Sequence, residues 1–411
     1  MQTLSERALV GRLGALPWAE PRVVVSGNFA TPWRLLEMFD RAVESYRLFA
    51  LNAQPGIPTR EGVIPESPFL GPGMRDLAAL DYLPMRLSLV PALFEVARPP
   101  DVVLLHTSTP RQGRVSLGIE VNILPAAIER ARARGGLVVA QVNRNMPYTF
   151  GDAEVDCDDI DLCIEVDEAL AGPARRQPGD TTMAIAENVA SLVGDGSTLQ
   201  LGIGALPDSV LGFLAARSGL GVWSEVISDG VLALERAKVL DDAVPITASF
   251  LFGSAELYAW VDANPRVRVM RTETVNDPAT IAAHPRMCSV NGALQVDLSA
   301  QANASYVRGR IYSGFGGQPD FVVGALHSVG GHAIIALPSW HAKTDCSTIV
   351  AHLETPVTSF QHSAVVTDQG CALVFGRSQR AQARLLIEDA AHPDARDALW
   401  DAAGQFLRVT R

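Results

Sequence analysis

Apolar residues in the first half of this chain come in short unbroken runs more than in strict alternation. Val23 to Ser26, Val102 to Leu105, Val115 to Gly118 and Leu137 to Val142 read as strands buried on both faces. Between these runs the spacing changes. Thr31 and Pro32 are the expected N-cap and first residue of a helix in which Leu35, Phe39, Ala42, Val43 and Tyr46 recur at helical intervals, and Ile128 to Arg134 lies in a second helix. Strand, turn and helix in repetition predict a parallel sheet covered by helices. From Pro55 to Arg75, proline and glycine replace the periodicity, and a long loop is expected there.

A polar stretch from Ala171 to Asp180, with Gly172, Pro173, Pro178 and Gly179, marks the expected boundary between two domains, 1–175 and 180–411. Beyond it the same rhythm returns. Thr181 is the expected N-cap of a helix whose stripe is Ile185, Val189, Leu192 and Val193. Thr198 to Leu201 is a strand, Gly202-Ile203-Gly204 a tight turn, and Pro207 the expected first residue of a helix striped by Val210, Leu211 and Leu214. Further strands are expected at Ile246–Phe252, Val267–Met270, Met287–Leu298, Ala333–Leu337, Thr348–Val350 and Ala372–Phe375, with a last helix after Ser378. The fold expected is α/β, in two halves of similar build.

Composition narrows the class. A chain of 411 residues, 48% apolar and 19% charged, supports two ordinary cores. A formal charge of −11 argues against nucleic-acid and anionic-membrane partners. With no long uncharged apolar run and no basic-then-apolar start, a soluble cytoplasmic protein is expected. The five cysteines are scattered without a CxxC and the histidines form no HExxH, so neither a disulfide framework nor a metal site is expected. His106, at the end of an apolar run, reads as a packed core residue. Asp152 to Asp167 carries eight acidic residues and reads as a solvated face, since its spacing is not that of a calcium loop.

The candidate chemistry centres on Gly196 to Gly230. A glycine turn facing a helix N-terminus presents several N–H donors and a positive dipole end. Glu225 closes the next apolar run, so that turn and carboxylate are expected on one edge of a sheet, where open α/β sheets place ligands. Each feature alone has a plainer reading, since glycine turns are common and most glutamates are solvated. A second cluster, Ser313-Gly314-Phe315-Gly316-Gly317-Gln318-Pro319-Asp320-Phe321, fits close approach of a ligand or a bulged hairpin equally.

The ordered motifs GNFATP (27–32), GPGMR (71–75), VNRNMPYTFGD (142–152), GSTLQLGIGALPD (196–208), SEVISDG (224–230), VNDP (275–278), NGALQVDL (291–298), SGFGGQPDF (313–321) and AHPDARDAL (391–399) resemble the acetyl-CoA hydrolase/transferase family. The resemblance spans nearly the whole chain and takes in the acetate and 4-hydroxybutyrate CoA-transferases. It implies two similar open-sheet α/β domains of the CoA-transferase (NagB/RpiA-like) type facing a common cleft, in a homodimer or larger homo-oligomer. It implies transfer of coenzyme A from an acyl-CoA to a carboxylic acid, with CoA as substrate and no tightly bound cofactor. Glu225 is then the nucleophile and Gln200 a donor to the thioester oxygen. Gly202, Ile203, Gly204, Ala205 and Leu206 contact CoA, joined by Leu294, Gly316 and Gly317 from the later motifs. The chain departs from the family at Thr367-Asp368-Gln369-Gly370, at Ser347-Thr348-Ile349-Val350, at Ser108 to Gly113, and at Val357 to Ala364, which lacks the usual arginine. Lys343, His341 and Arg310 are candidate substitutes for a lost basic contact. An acyl group bulkier than acetyl is therefore expected. Acyl-CoA hydrolysis and a non-catalytic acyl-CoA-binding role are the alternatives.

Overall fold

The unbroken apolar runs become the middle strands of parallel sheets. The structure is a computed structural model that describes residues 1–174, 177–354, 357 and 361–406. Its contacts divide the chain into two units. The first comprises Met1–Pro173, Ile246–Val275 and Ser313–Gly316; the second comprises Ala174–Pro245, Asn276–Tyr312 and Gly317–Arg411. Two stretches that a linear division places in the C-terminal domain thus belong to the first unit.

The first unit is built on β1 (Gln2–Thr3), β2 (Arg22–Val25), β3 (Tyr46–Phe49), β4 (Val63–Ser67), β5 (Asp81–Tyr82), β6 (Val102–Thr107), β7 (Leu137–Asn143) and β8 (Leu162–Val166). They lie in the order β1-β8-β7-β6-β2-β3-β4-β5, every pair parallel. β6, at the middle, is buried along its whole length. Helix α1 (Trp33–Ala42) packs on β7, and α2 (Leu124–Ala133) on β6 and β7. Ile246–Val275 joins this unit because Ile246–Ala248 pairs with Val267–Val269, which pairs in turn with Phe150–Gly151.

Several expectations give way here. The segment read as a loop contains β4, disguised by Pro65, which sits in the ladder opposite Leu48. Thr31 does not cap α1; its hydroxyl donates to the Asn28 carbonyl, and Pro32 holds the cap position. The acidic stretch is not simply solvated, since Asp161 accepts the Val138 N–H at 2.9 Å and Asp152 accepts the Arg271 N–H at 2.9 Å. His106 is in the core as expected, its Nδ1 3.2 Å from the Ala30 carbonyl oxygen. Burial pushes its pKa down to about 4. Glu66, on β4, is 0% exposed. Arg22, Arg47 and Arg98 surround it at 2.8, 3.2 and 2.6 Å.

The second unit has β9 (Thr198–Leu201), β10 (Gly221–Val222), the short β11 (Val226–Ile227), β12 (Met287–Gly292), β13 (His332–Ala336), β14 (Ala364–Thr367) and β15 (Gly370–Leu373). Its sheet runs β10-β9-β12-β13-β14-β15, parallel except for the β14–β15 hairpin. The divergent Thr367 to Gly370 is the turn of that hairpin. Asp368 there accepts the Ser339 N–H at 2.6 Å and its hydroxyl at 2.9 Å.

Helix α3 (Asp180–Ser191) begins after Gly179 without a side-chain cap, so Thr181 lies inside it. The long run from Met287 breaks at Gly292, and Gln295–Asp297 leaves to pair with Ile349–Val350. Ser378 caps its helix, accepting the Ala381 N–H at 3.3 Å. A further helix, Pro393–Phe406, follows unforeseen. Pro393 at its start was the available signal. Part of the Val357 to Ala364 departure lies outside the described residues.

Candidate active site

The site is built at the carboxyl ends of β9, β10 and β12. After β9 the chain turns through Gly202 and Gly204 into α4 (Ala205–Phe213). Gly204 has φ of 116°, a conformation that L side chains rarely adopt, and an added β-carbon would meet nothing within 4 Å. Glycine is required there by the backbone and not by space. α4 has no side-chain N-cap, so its amino end keeps free donors for an anion. Pro207 is its third residue and not its first, still within the turn where a missing N–H costs little. Ile203, at the tip, is 37% exposed.

After β10 the Trp223 N–H donates to the Leu199 carbonyl at 3.1 Å, and the Ser224 hydroxyl donates to the Leu201 carbonyl at 3.1 Å. These bonds carry Glu225 past the end of β9. The following Ser228 hydroxyl donates to Asp208 of α4 at 2.5 Å. Gly230 opens α5 (Asp229–Arg236) where a side chain would collide with Leu211. The Ser-Asp-Gly motif is thus a clamp between α4 and α5, and Glu225 is held between two fixed points.

Around Glu225 the later motifs converge. Gly317 is the N-cap of α7 (Gln318–His327), and its backbone N–H donates to the Glu225 carboxylate. A β-carbon at position 317 would fall on Glu225 Oε2 and Asn276 Nδ2. Asn276, just before α6 (Pro278–Ala283), donates its amide to Glu225 Oε2 at 3.5 Å. Asp320, in the first turn of α7, is 0% exposed. Helices α6 and α7 pack closely because Gly324 leaves room for Ile281.

Glu225 is only partly open to solvent. Its pKa is raised to about 7, chiefly by burial and also by the charge of Asp320, while the bonds from Asn276 and Gly317 pull the other way.

Gln200 is 3% exposed and committed to neighbours on β12. Its Oε1 accepts the Ser289 hydroxyl at 2.7 Å and the Asn291 amide at 3.2 Å. The end of β12 reaches α7 through Gln318, whose amide donates to the Gly292 carbonyl at 3.3 Å. The expected backbone contact from Leu294 is limited, because its N–H is spent on the Asn303 carbonyl at 2.7 Å. Gly316 belongs to the first unit, with φ of 57° and the Phe69 ring against it. Lys343 is exposed on a surface hairpin between Trp340–His341 and Cys346–Ser347, and no hydrogen bond among the described residues ties it to the Glu225 group. Among the described residues no cluster of histidine, cysteine, aspartate or glutamate has the form of a metal site. No helix there is long and apolar enough to cross a membrane.

Residues 66–172 match the acetyl-CoA hydrolase/transferase N-terminal domain, and residues 253–403 match the C-terminal domain of the same family. The chain is 41% identical over 331 residues to a 4-hydroxybutyrate coenzyme A transferase of Clostridium kluyveri, covering 78% of this chain and 76% of that one. The chain belongs to the acetyl-CoA hydrolase/transferase family. It is also 33% identical to a succinyl-CoA:acetate/propanoyl-CoA:succinate CoA transferase of Fasciola hepatica, over 94% of this chain and 85% of that one. The crystal structure of RipA from Yersinia pestis superimposes with a TM-score of 0.90 at 28% identity, covering 99% and 100% of the two chains. The α/β class with parallel open sheets holds for this family member over the whole chain.

What the sequence did not single out are Asn276 and the role of Asp320. Both lie within quoted motifs, VNDP and GGQPDF, but neither motif marks which residue acts on Glu225.

Proposed function

We propose that this member of the acetyl-CoA hydrolase/transferase family moves coenzyme A from an acyl-CoA to a carboxylic acid through a glutamyl-CoA thioester on Glu225. The observation that carries the reading is the Glu225 carboxylate itself. It is oriented by the Gly317 N–H and the Asn276 amide, and its pKa of about 7 makes it more basic than an ordinary carboxylate. A more basic oxygen is a better nucleophile, and near neutral pH a large fraction remains ionised.

A Glu225 oxygen attacks the acyl carbonyl carbon, the carbon–sulfur bond breaks, and CoA thiolate departs from a mixed anhydride. The thiolate then attacks the glutamyl carbon, and the first acid leaves with one of the original glutamate oxygens. The second acid runs the steps in reverse. Each tetrahedral intermediate carries an oxyanion, for which the Gly317 N–H and the amino end of α4 are the donors at hand. Gly202 to Leu206 hold the CoA portion in this reading. Leu294 and Gly317 are assigned to the same ligand on the strength of the motifs, Lys343 is the candidate substitute for the lost basic contact, and Gln200, its Oε1 held by Ser289 and Asn291, is the candidate donor to the thioester oxygen.

The test is mass spectrometry after incubation with a panel of acyl-CoAs, with and without borohydride, followed by peptide mapping. An acyl-CoA-dependent adduct on Glu225, reversed by an added carboxylic acid, is expected, and Glu225→Gln is expected to lose it together with roughly 10⁴-fold or more in turnover. Release of CoA with no adduct and no dependence on an acceptor acid would leave hydrolysis as the better account. Neither adduct nor turnover with any donor would point to acyl-CoA binding alone.

A further inference from the structure

Asp320 is a fully buried carboxylate placed one helical turn from the glycine whose N–H holds Glu225. As the third residue of α7 it sits where the helix dipole favours a negative charge. The groups around Glu225 make it distinctive. Asn276, from the segment before α6, is neutral, and Gly317 offers only its backbone. On Glu225's own segment the nearest acid is Asp229, which bears on Asp208. Buried in the first turn of the helix that Gly317 caps, Asp320 is the acid among the described residues that raises the Glu225 pKa.

We infer that Asp320 is an electrostatic positioning residue that drives Glu225 out of its charged form and into the neutral glutamyl-CoA thioester. The inference rests on the thioester mechanism proposed above. The physical reason is a charge that disappears. Conversion of the Glu225 carboxylate to a thioester removes one negative charge from beside Asp320, and the released acid carries it into solvent. No proton is gained or lost overall: one carbon–sulfur bond breaks, another forms, and one glutamate oxygen leaves with the acid. Protonation of Glu225 removes the same charge from the same place. Acting through that charge alone, Asp320 favours the protonated acid and the thioester over the carboxylate by the same factor.

This equality gives the test. In Asp320→Asn, the acidic limb of kcat/KM against pH is expected to move down by about half a unit or more, stopping above the ordinary carboxylate range because burial remains. The equilibrium constant for adduct formation, read by mass spectrometry from the adduct fraction at fixed acyl-CoA and free-acid concentrations above that limb, is expected to fall by the matching factor, about threefold for half a unit. Asp320→Ser serves as a second variant, with circular dichroism to confirm folding. A limb that stays in place, or an adduct constant that changes without the limb, overturns the inference. So does failure of both variants to fold, which would assign Asp320 to the helix terminus alone. Absence of any adduct in the unaltered enzyme would instead sink the thioester mechanism itself.

Discussion

At the scale of single residues, the Asn276 amide, 3.5 Å from Glu225 Oε2, works against burial in setting the charge state of that carboxylate. A carboxylate ending an apolar run between two glycine turns is visible in the sequence. Asn276, 51 residues further on, is brought to it only by tertiary packing, and no local pattern marks the contact. That contact makes a directional prediction. Burial raises the Glu225 pKa to about 7, and the Asn276 hydrogen bond lowers it. In the proposed mechanism Glu225 attacks as the carboxylate, so kcat/KM is expected to fall as pH drops through its pKa. Asn276→Ala removes a bond that favours the carboxylate and is expected to shift this limb upward. A pH profile of kcat/KM for the two forms checks it, and a downward shift would contradict the assigned role.

At the scale of elements, the two glycine turns looked alike in sequence and work differently. Gly204 is needed because its backbone has positive φ, and a side chain there would meet open space. Gly317 has an ordinary helical φ of −90°, but Glu225 and Asn276 occupy the place of its β-carbon. Sequence records only that no side chain is present, not which of these two reasons applies. Gly317→Ala is expected to displace the carboxylate and lose the donor geometry, reducing turnover about a hundredfold or more while the fold persists. Turnover and thermal midpoint measured side by side distinguish this from general destabilisation. The missed strand β4 has a related cause. Pro65 is a breaker by pattern, yet a ladder can carry it where its absent N–H is not required.

For the whole molecule, the strand-helix rhythm made the α/β class legible from continuous runs such as β6 and β7. What it could not convey was the return of Ile246–Val275 to the first unit, since pairing with Phe150–Gly151 leaves no mark in either segment. The Glu66 network was hidden for the same reason, inside a stretch read as loop. Glu66→Gln would leave three partly exposed guanidinium groups around a neutral buried amide, with Arg98 still paired to Asp81 and Arg47 to Glu20. It is expected to cost the fold about 1–3 kcal/mol, measured by denaturant unfolding, with the pH limb of Glu225 unmoved. A shifted limb would mean that the network tunes the site as well as the scaffold.

The chain passes from one unit to the other at Pro173–Ala174, Pro245–Ile246, Val275–Asn276, Tyr312–Ser313 and Gly316–Gly317. A gene cut at the first of these would encode a leading fragment without the strands of Ile246–Val275 and a trailing fragment that carries them as orphans. For heredity, the halves are not interchangeable modules. Recombination at the apparent domain boundary exchanges parts of both units at once, so a viable hybrid must inherit a matched pair of partners rather than a single intact piece.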